Sequence, residues 1–128
     1  MKFNIKEVNL PAFRHLVLPS DEEQISPLHN EDIDSLFDSV STLTFNVSYG
    51  DNLKEALLNM DPNEIDREKA KKAVFVIRCR QSYELLMEEF ADLNRYICDF
   101  MPDADFHWAV ASRGVPEKNI TLIAFTTY

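Results

Sequence analysis

Glycine is nearly absent from this chain: its 128 residues contain two, Gly50 and Gly114. A loop that cradles phosphate with backbone N–H groups needs several glycines close together, because a Cβ keeps the ligand away from the backbone. Two isolated glycines exclude such a loop. Cysteine is equally scarce. Cys79 and Cys98 form no disulfide framework and read as reduced thiols of a cytoplasmic chain. Basic residues are in deficit, with 13 Lys and Arg against 22 Asp and Glu, a formal net charge of −9 and a pI near 4.7. An acidic surface repels phosphate backbones and anionic lipid, which argues against nucleic acid and membrane as partners. No apolar run is long enough to span a bilayer, and the opening MKFNIKEVNL lacks the apolar centre of a signal peptide. Repeats and low-complexity tracts are missing too. Asn46-Val47-Ser48 and Asn119-Ile120-Thr121 match the glycosylation pattern, but both fall in expected strands and read as chance matches.

What is present is enough apolar residue, 45% of the chain, for one folded domain. The first segment has weak patterning. Pro11, Pro19 and Pro27 interrupt any long helix, so residues 1–30 are expected to lie extended over a domain of residues 31–128, with Phe13, Leu16 and Leu18 as docking points. Beyond Asn30 the signals sharpen. Ile33, Leu36, Phe37 and Val40 are spaced as one helix face. In TLTFNVSYG, Leu43, Phe45, Val47 and Tyr49 alternate with Thr44, Asn46 and Ser48, which predicts a strand with the apolar set inward. Leu53 to Met60 reads as a short helix. AVFVIRC is apolar on both faces and reads as a central strand.

The longest element follows. Leu86, Phe90, Leu93, Ile97 and Phe100 step by 4, 3, 4 and 3, an amphipathic helix with Ser82 as its expected N-cap and Pro102 as its stop. DFHWAVAS and NITLIAFTT then read as two strands, expected to form a hairpin across RGVPEK. The fold class is therefore α+β, a two-layer arrangement with a mixed sheet of about four strands and helices mainly on one face. The expected core includes Phe45, Val47, Phe75, Val76, Ile77, Leu86, Phe90, Leu93, Ile97, Val110, Leu122 and Ile123.

Chemistry is sparse. The densest polar cluster is PLHNEDID, Pro27 to Asp34. As a metal site, His29, Glu31, Asp32 and Asp34 offer one histidine and no matched cysteine spacing, so no metal is expected. As a helix start, Glu31 and Asp32 occupy the first turn, where acids suit the helix dipole. Arg78-Cys79-Arg80 could clamp an anion beside a thiol, but reads more simply as the end of a buried strand with Cys79 inward. His107, between Phe106 and Trp108, reads as a partly exposed strand residue, and His15 has no partner nearby in sequence.

The stretch AVFVIRCRQSYELLMEEFADLNRYICDFMPDADFHWAVASRGVPEKNITLIAFTTY resembles the C-terminal domain of the FtsZ/tubulin superfamily, the FtsZ branch in particular. There an apolar strand leads to a Glu-rich helix, then a turn like DADF, a strand of FxxAV type, a loop with P-E-x, and a last strand like ITLIAF. The pattern extends over roughly Asp32 to the end. The resemblance implies a polymer-contact and protein-interaction domain, with protein partners, self-association or an FtsZ-like nucleotide-binding half, and no cofactor of its own. In polymerising members the loop before the first of these helices carries two acids that act on the nucleotide of the next subunit. On that pattern Asp32 falls on the second acid and His29 on the first, so both become candidate catalytic-loop residues in vestigial form. A second placement, at Glu7 to Phe13, puts Asn9 and Ala12 on the acid positions. Neither restores both acids, and the chain is expected not to be catalytic alone. The competing expectation is a small free-standing enzyme with a site near His29 and Arg78 or Arg80, which would need an acid or base and an anion binder to converge in one pocket.

Overall fold

The computed structural model describes residues 2–17, 23–26, 30–38, 40–60, 69–80, 82–113 and 118–128. Strand β1, Lys2–Asn4, runs into a one-turn 3-10 helix and then helix α1, Leu10–Val17. Strand β2, Glu23–Ser26, and helix α2, Asn30–Ser35, precede strand β3, Thr42–Gly50. Helix α3 is Leu53–Leu58, strand β4 Lys72–Arg80, helix α4 Met87–Phe100, strand β5 Asp105–Arg113 and strand β6 Ile120–Thr127. The strands form one mixed sheet in the order β1-β3-β6-β4-β5-β2. Its centre is the expected four long strands, and the two short edge strands come from the N-terminal segment.

That segment is therefore not extended throughout. Pro11 does not prevent α1, because it stands in the first turn, where a backbone N–H has no helical acceptor. The Asn9 side chain accepts from the Ala12 N–H at 3.1 Å and starts the helix. Phe13 then becomes a core residue, 5% exposed, with its ring edge-on to Phe125 at 4.7 Å.

β4 is buried on both faces, which fits its unbroken apolar run. Its odd residues Ala73, Phe75 and Ile77 face α3 and α4 through Leu53, Leu57, Leu93 and Ile97. Its even residues Val74 and Val76 face Phe13, Ile33 and Leu36 from α1 and α2. The longer helical layer thus lies on one face, and the two short helices cover part of the other. A fully buried Leu, Ile or Phe contributes about 1.5–3 kcal/mol, so these two clusters dominate stability.

Three further expectations need correction. β5 and β6 are not a hairpin: β5 pairs in parallel with β4, while β6 inserts between β3 and β4, antiparallel to both. α4 connects β4 to β5 as a crossover over one face of the sheet, and a crossover of this kind joins parallel neighbours.

β3 buries its polar side and exposes the far end of its apolar side, while Leu43 and Phe45 at its start still pack inward. Thr44, Asn46 and Ser48 are buried, at 6%, 6% and 3% exposure, whereas Val47 and Tyr49 are exposed, at 38% and 54%. The cause is α3, which folds back tightly over the polar side. A Cβ on Gly50 would lie 2.5 Å from the Ala56 nitrogen, so only glycine admits this approach. Ser48 Oγ donates to the Ala56 carbonyl at 2.7 Å, and Thr44 Oγ1 lies 3.3 Å from the Tyr128 hydroxyl. Thr44 and Ser48 are thus partnered where they are buried, whereas Asn46 Nδ2 has no hydrogen-bond partner among the described residues.

The start of α4 also differs. Ser82 does not cap it. Leu86 is the N-cap, 55% exposed and outside the core, and Phe90 is half-buried against Trp108 at 4.8 Å between ring centres.

Candidate assembly surface

α2 carries the acids singled out in the sequence. Ile33 and Leu36, 0% and 1% exposed, anchor it to the sheet. Its first turn holds Glu31 and Asp32, and its last turn has no basic residue of its own. Lys72, from the start of β4, supplies that cation: its Nζ donates to the carbonyls of Ser35 and Asp38. Ser35 Oγ donates to the Asp32 carbonyl at 2.9 Å.

The acids of α2 diverge. Asp32 and Asp34 are two residues apart, about 200° around the helix. Asp32 Oδ1 lies 3.7 Å from His107 Nδ1 on β5. Asp34 Oδ1 accepts from Arg14 of α1, with Nε at 3.0 Å. Each acid thus ties α2 to a different element. Among the described residues no three His, Cys, Asp or Glu side chains group closely enough to hold a metal ion. His29 lies outside the described residues.

Arg78 and Arg80 do not join Asp32. His107 is in register with Val74, and Arg78 is four residues farther along β4, roughly 13 Å at about 3.3 Å per residue. Arg78 is buried, 7% exposed. Cys79 points to the opposite face, into the cluster beneath α3 and α4. Burial, then the Glu89 charge, raises its pKa from 9.0 to about 11, so it is a protonated thiol at neutral pH and no nucleophile. Asp32 and Arg78 therefore do not converge in one pocket.

The second face offers something different. Phe3, Phe13, Leu43, Phe45 and Phe125 line an open cavity of about 390 Å³, with Glu7 and Asn9 at its rim. Beyond it on the same face, Val47 and Tyr49 stand exposed, and Phe3 is 37% exposed. Contiguous apolar surface rimmed by polar side chains is the anatomy of a protein interface.

One polar group of structural weight escaped the sequence reading. Glu89, 7% exposed, accepts three hydrogen bonds: from Leu53 N–H at 2.9 Å and Tyr83 O–H at 2.7 Å on Oε1, and from Leu86 N–H at 2.9 Å on Oε2. It joins the N-termini of α3 and α4, where a carboxylate also meets favourable dipole ends. Burial, then hydrogen bonding and charge from Glu89, push the Tyr83 pKa up from 10.0 to about 12. Glu89 supplies only the N3 half of a capping box, because Leu86 has no side-chain acceptor to complete it, so the sequence carried no such signature.

No protein-family model matches the sequence, and no curated protein matches it. Solved structures do. An FtsZ dimer from M. jannaschii superposes with a TM-score of 0.70 at 14% identity, over 88% of this chain and 34% of that one. GDP-form protofilaments of TubZ from Bacillus thuringiensis serovar israelensis give 0.65 at 8% identity, over 91% of this chain and 34% of that one. A GTPγS-form TubZ protofilament gives 0.64 at 10%, over 96% and 37%. The chain spans about a third of the length of these proteins. Its fold is that of an FtsZ/TubZ segment, the FtsZ/tubulin C-terminal-domain architecture that its second half resembles.

Proposed function

We propose that this chain is the contact domain of an FtsZ-like cytoskeletal or cell-division assembly in the cytoplasm, and that it is not an enzyme by itself. It acts by docking its half-covered sheet face on an FtsZ-like nucleotide-binding half, either in the same polypeptide or in trans. The observation that carries this reading is the coincidence of that fold with an exposed apolar face: Phe3, Val47 and Tyr49 beside the cavity floored by Phe45 and Phe125. α2, which holds Asp32, borders the same face. A phosphate cradle is outside the means of two glycines, so nucleotide would be held by the partner half.

The test mixes this chain with a separately produced FtsZ nucleotide-binding half and measures binding by titration calorimetry. We expect a complex near about 10 μM, roughly −7 kcal/mol, that weakens at least about tenfold when Val47 and Tyr49 are both changed to Asp. GTP with magnesium should show no heat with this chain alone. Micromolar GTP binding by the isolated chain, or indifference of the complex to the double change, would refute the reading.

A further inference from the structure

The opposite side of the molecule carries a second surface, independent of the face assigned above. α3 follows β3 and α4 follows β4, two strands that run in the same direction because both are antiparallel to β6. The two helices therefore run side by side across the sheet, and a groove of about 400 Å³ opens between them. Its apolar lining is Leu57 and Leu58 from α3 and Tyr96 and Phe100 from α4. Tyr96 and Phe100 stack at 5.3 Å with 23° between their planes. Leu58 is 75% exposed, a large apolar side chain left in water at the groove's edge. Its rim is charged in a fixed order. Asp92, Arg95 and Asp99 step by three and four along α4, which places minus, plus and minus on one helix face, and Lys54 stands on the α3 side. Among the described residues none of these four charges enters an ion pair.

We propose that the α3–α4 groove is a docking site for an amphipathic helix of a protein partner, one with basic side chains two turns apart flanking its apolar stripe. The charge pattern selects that occupant. Asp92 and Asp99 are seven residues apart, about 10.5 Å at about 1.5 Å per residue, the spacing of side chains at i and i+7 on a helix lying along α4. An acid between the two bases would meet Arg95. The apolar lining takes the i, i+3 or i+4, and i+7 anchors typical of helix-in-groove recognition. A basic partner also answers the chain's net charge of −9, which raises its association rate at low salt. α3 and α4 already provide the two walls, so the guest completes a three-helix layer on this face of the sheet.

The probe is a synthetic helical peptide of about 14 residues, four turns, with Leu at the stripe positions and Lys at i and i+7. Two controls have the same length: one with Glu in place of both Lys, and one with the order scrambled. Amide chemical shifts of the full chain are followed during each titration. We expect shifts confined to α3 and α4, binding weakened at least about tenfold by Leu58→Asp, and weakened severalfold for the Glu peptide and at higher salt. Leu58 is exposed, so its substitution should leave the thermal melt unchanged and the loss readable. Equal binding of the scrambled peptide, shifts centred on Val47 and Tyr49, or no binding at about 1 mM would overturn the proposal. Sedimentation of the chain alone as a dimer that Leu58→Asp dissociates would assign the groove to a second copy and overturn it equally.

Discussion

Asp32 and His107 meet across 3.7 Å, joining the first turn of α2 to β5. The pair is partly exposed, at 28% and 45%, so its contribution to stability is small, within the roughly 0–1 kcal/mol of surface ion pairs. Asp32→Ala should therefore lower stability by less than about 1 kcal/mol in a denaturant melt. In an assembly reconstituted with a nucleotide-binding half, the same substitution should slow GTP turnover while nucleotide binding persists, since an acid acts only within hydrogen-bond reach of the attacking water. Unchanged turnover would leave Asp32 as a helix-start acid and nothing more.

Glu89 should be worth far more than Asp32. Glu89→Ala strands the Leu53 and Leu86 N–H groups and the Tyr83 hydroxyl, and a buried unpartnered donor costs about 1–3 kcal/mol. Some of these donors are partly reached by water, so the total should fall at about 2–4 kcal/mol. Glu89→Gln, which keeps one carbonyl acceptor, should cost less. Urea unfolding of both variants measures this; equal stability of Glu89→Ala and the parent would mean the clasp is dispensable.

Thiol reactivity should separate the two cysteines. Cys98 is exposed and Cys79 buried. Aromatic disulfide reagent at neutral pH should label one thiol in the folded chain and two after denaturation. Alkali should destabilise the fold. The folded pKa values of Cys79, about 11, and Tyr83, about 12, lie above their ordinary values of 9.0 and 10.0. The unfolded chain releases these protons first, so stability is retained below pH 9 and declines as pH rises above it. A denaturation midpoint that stays flat from neutral pH to pH 11 would contradict both shifts.

Gly50→Ala tests the tight turn. The added methyl would meet the Ala56 nitrogen at 2.5 Å and the Asn52 carbonyl oxygen at 2.9 Å, so α3 would have to move. Overpacking of this kind costs about 1–3 kcal/mol, against the gain of about 0.4–1 kcal/mol that a freely accommodated Gly→Ala change gives. A stabilised Gly50→Ala protein would show that α3 is not held as close as described.

Phe75 and Phe90 offer a comparison within one cluster. Phe75 is 0% exposed and Phe90 only half-buried. Phe75→Ala should cost about 3–5 kcal/mol, and Phe90→Ala clearly less, because part of its ring is already in water. Chemical denaturation of the two variants decides; the reverse order would misplace the face of α4.

The sequence by itself determined the elements whose signal is local. An unbroken apolar run makes β4 central, because only a strand covered on both faces can bury every residue of AVFVIRC. The 3-and-4 spacing of Leu93, Ile97 and Phe100 makes α4 amphipathic wherever it is placed. Tertiary structure decided what depends on partners distant in sequence. β3 shows this best: its alternation is plain, but burial of its polar half depended on α3 bringing a backbone carbonyl within reach of Ser48. The same holds for β6, whose place between β3 and β4 is a matter of which edges remain open once α4 has made β4 and β5 parallel. Glu89 looked like one more solvated acid among the glutamates of its helix, and became a buried clasp only because α3 delivered the Leu53 N–H to it. Asp32 was visible as an acid at a helix start, whereas its neighbour His107, 75 positions away by residue number, could be known only from the sheet register that sets β5 beside β4. Periodicity reports how a segment divides its own surface between polar and apolar, and only the assembled layers set which side is covered.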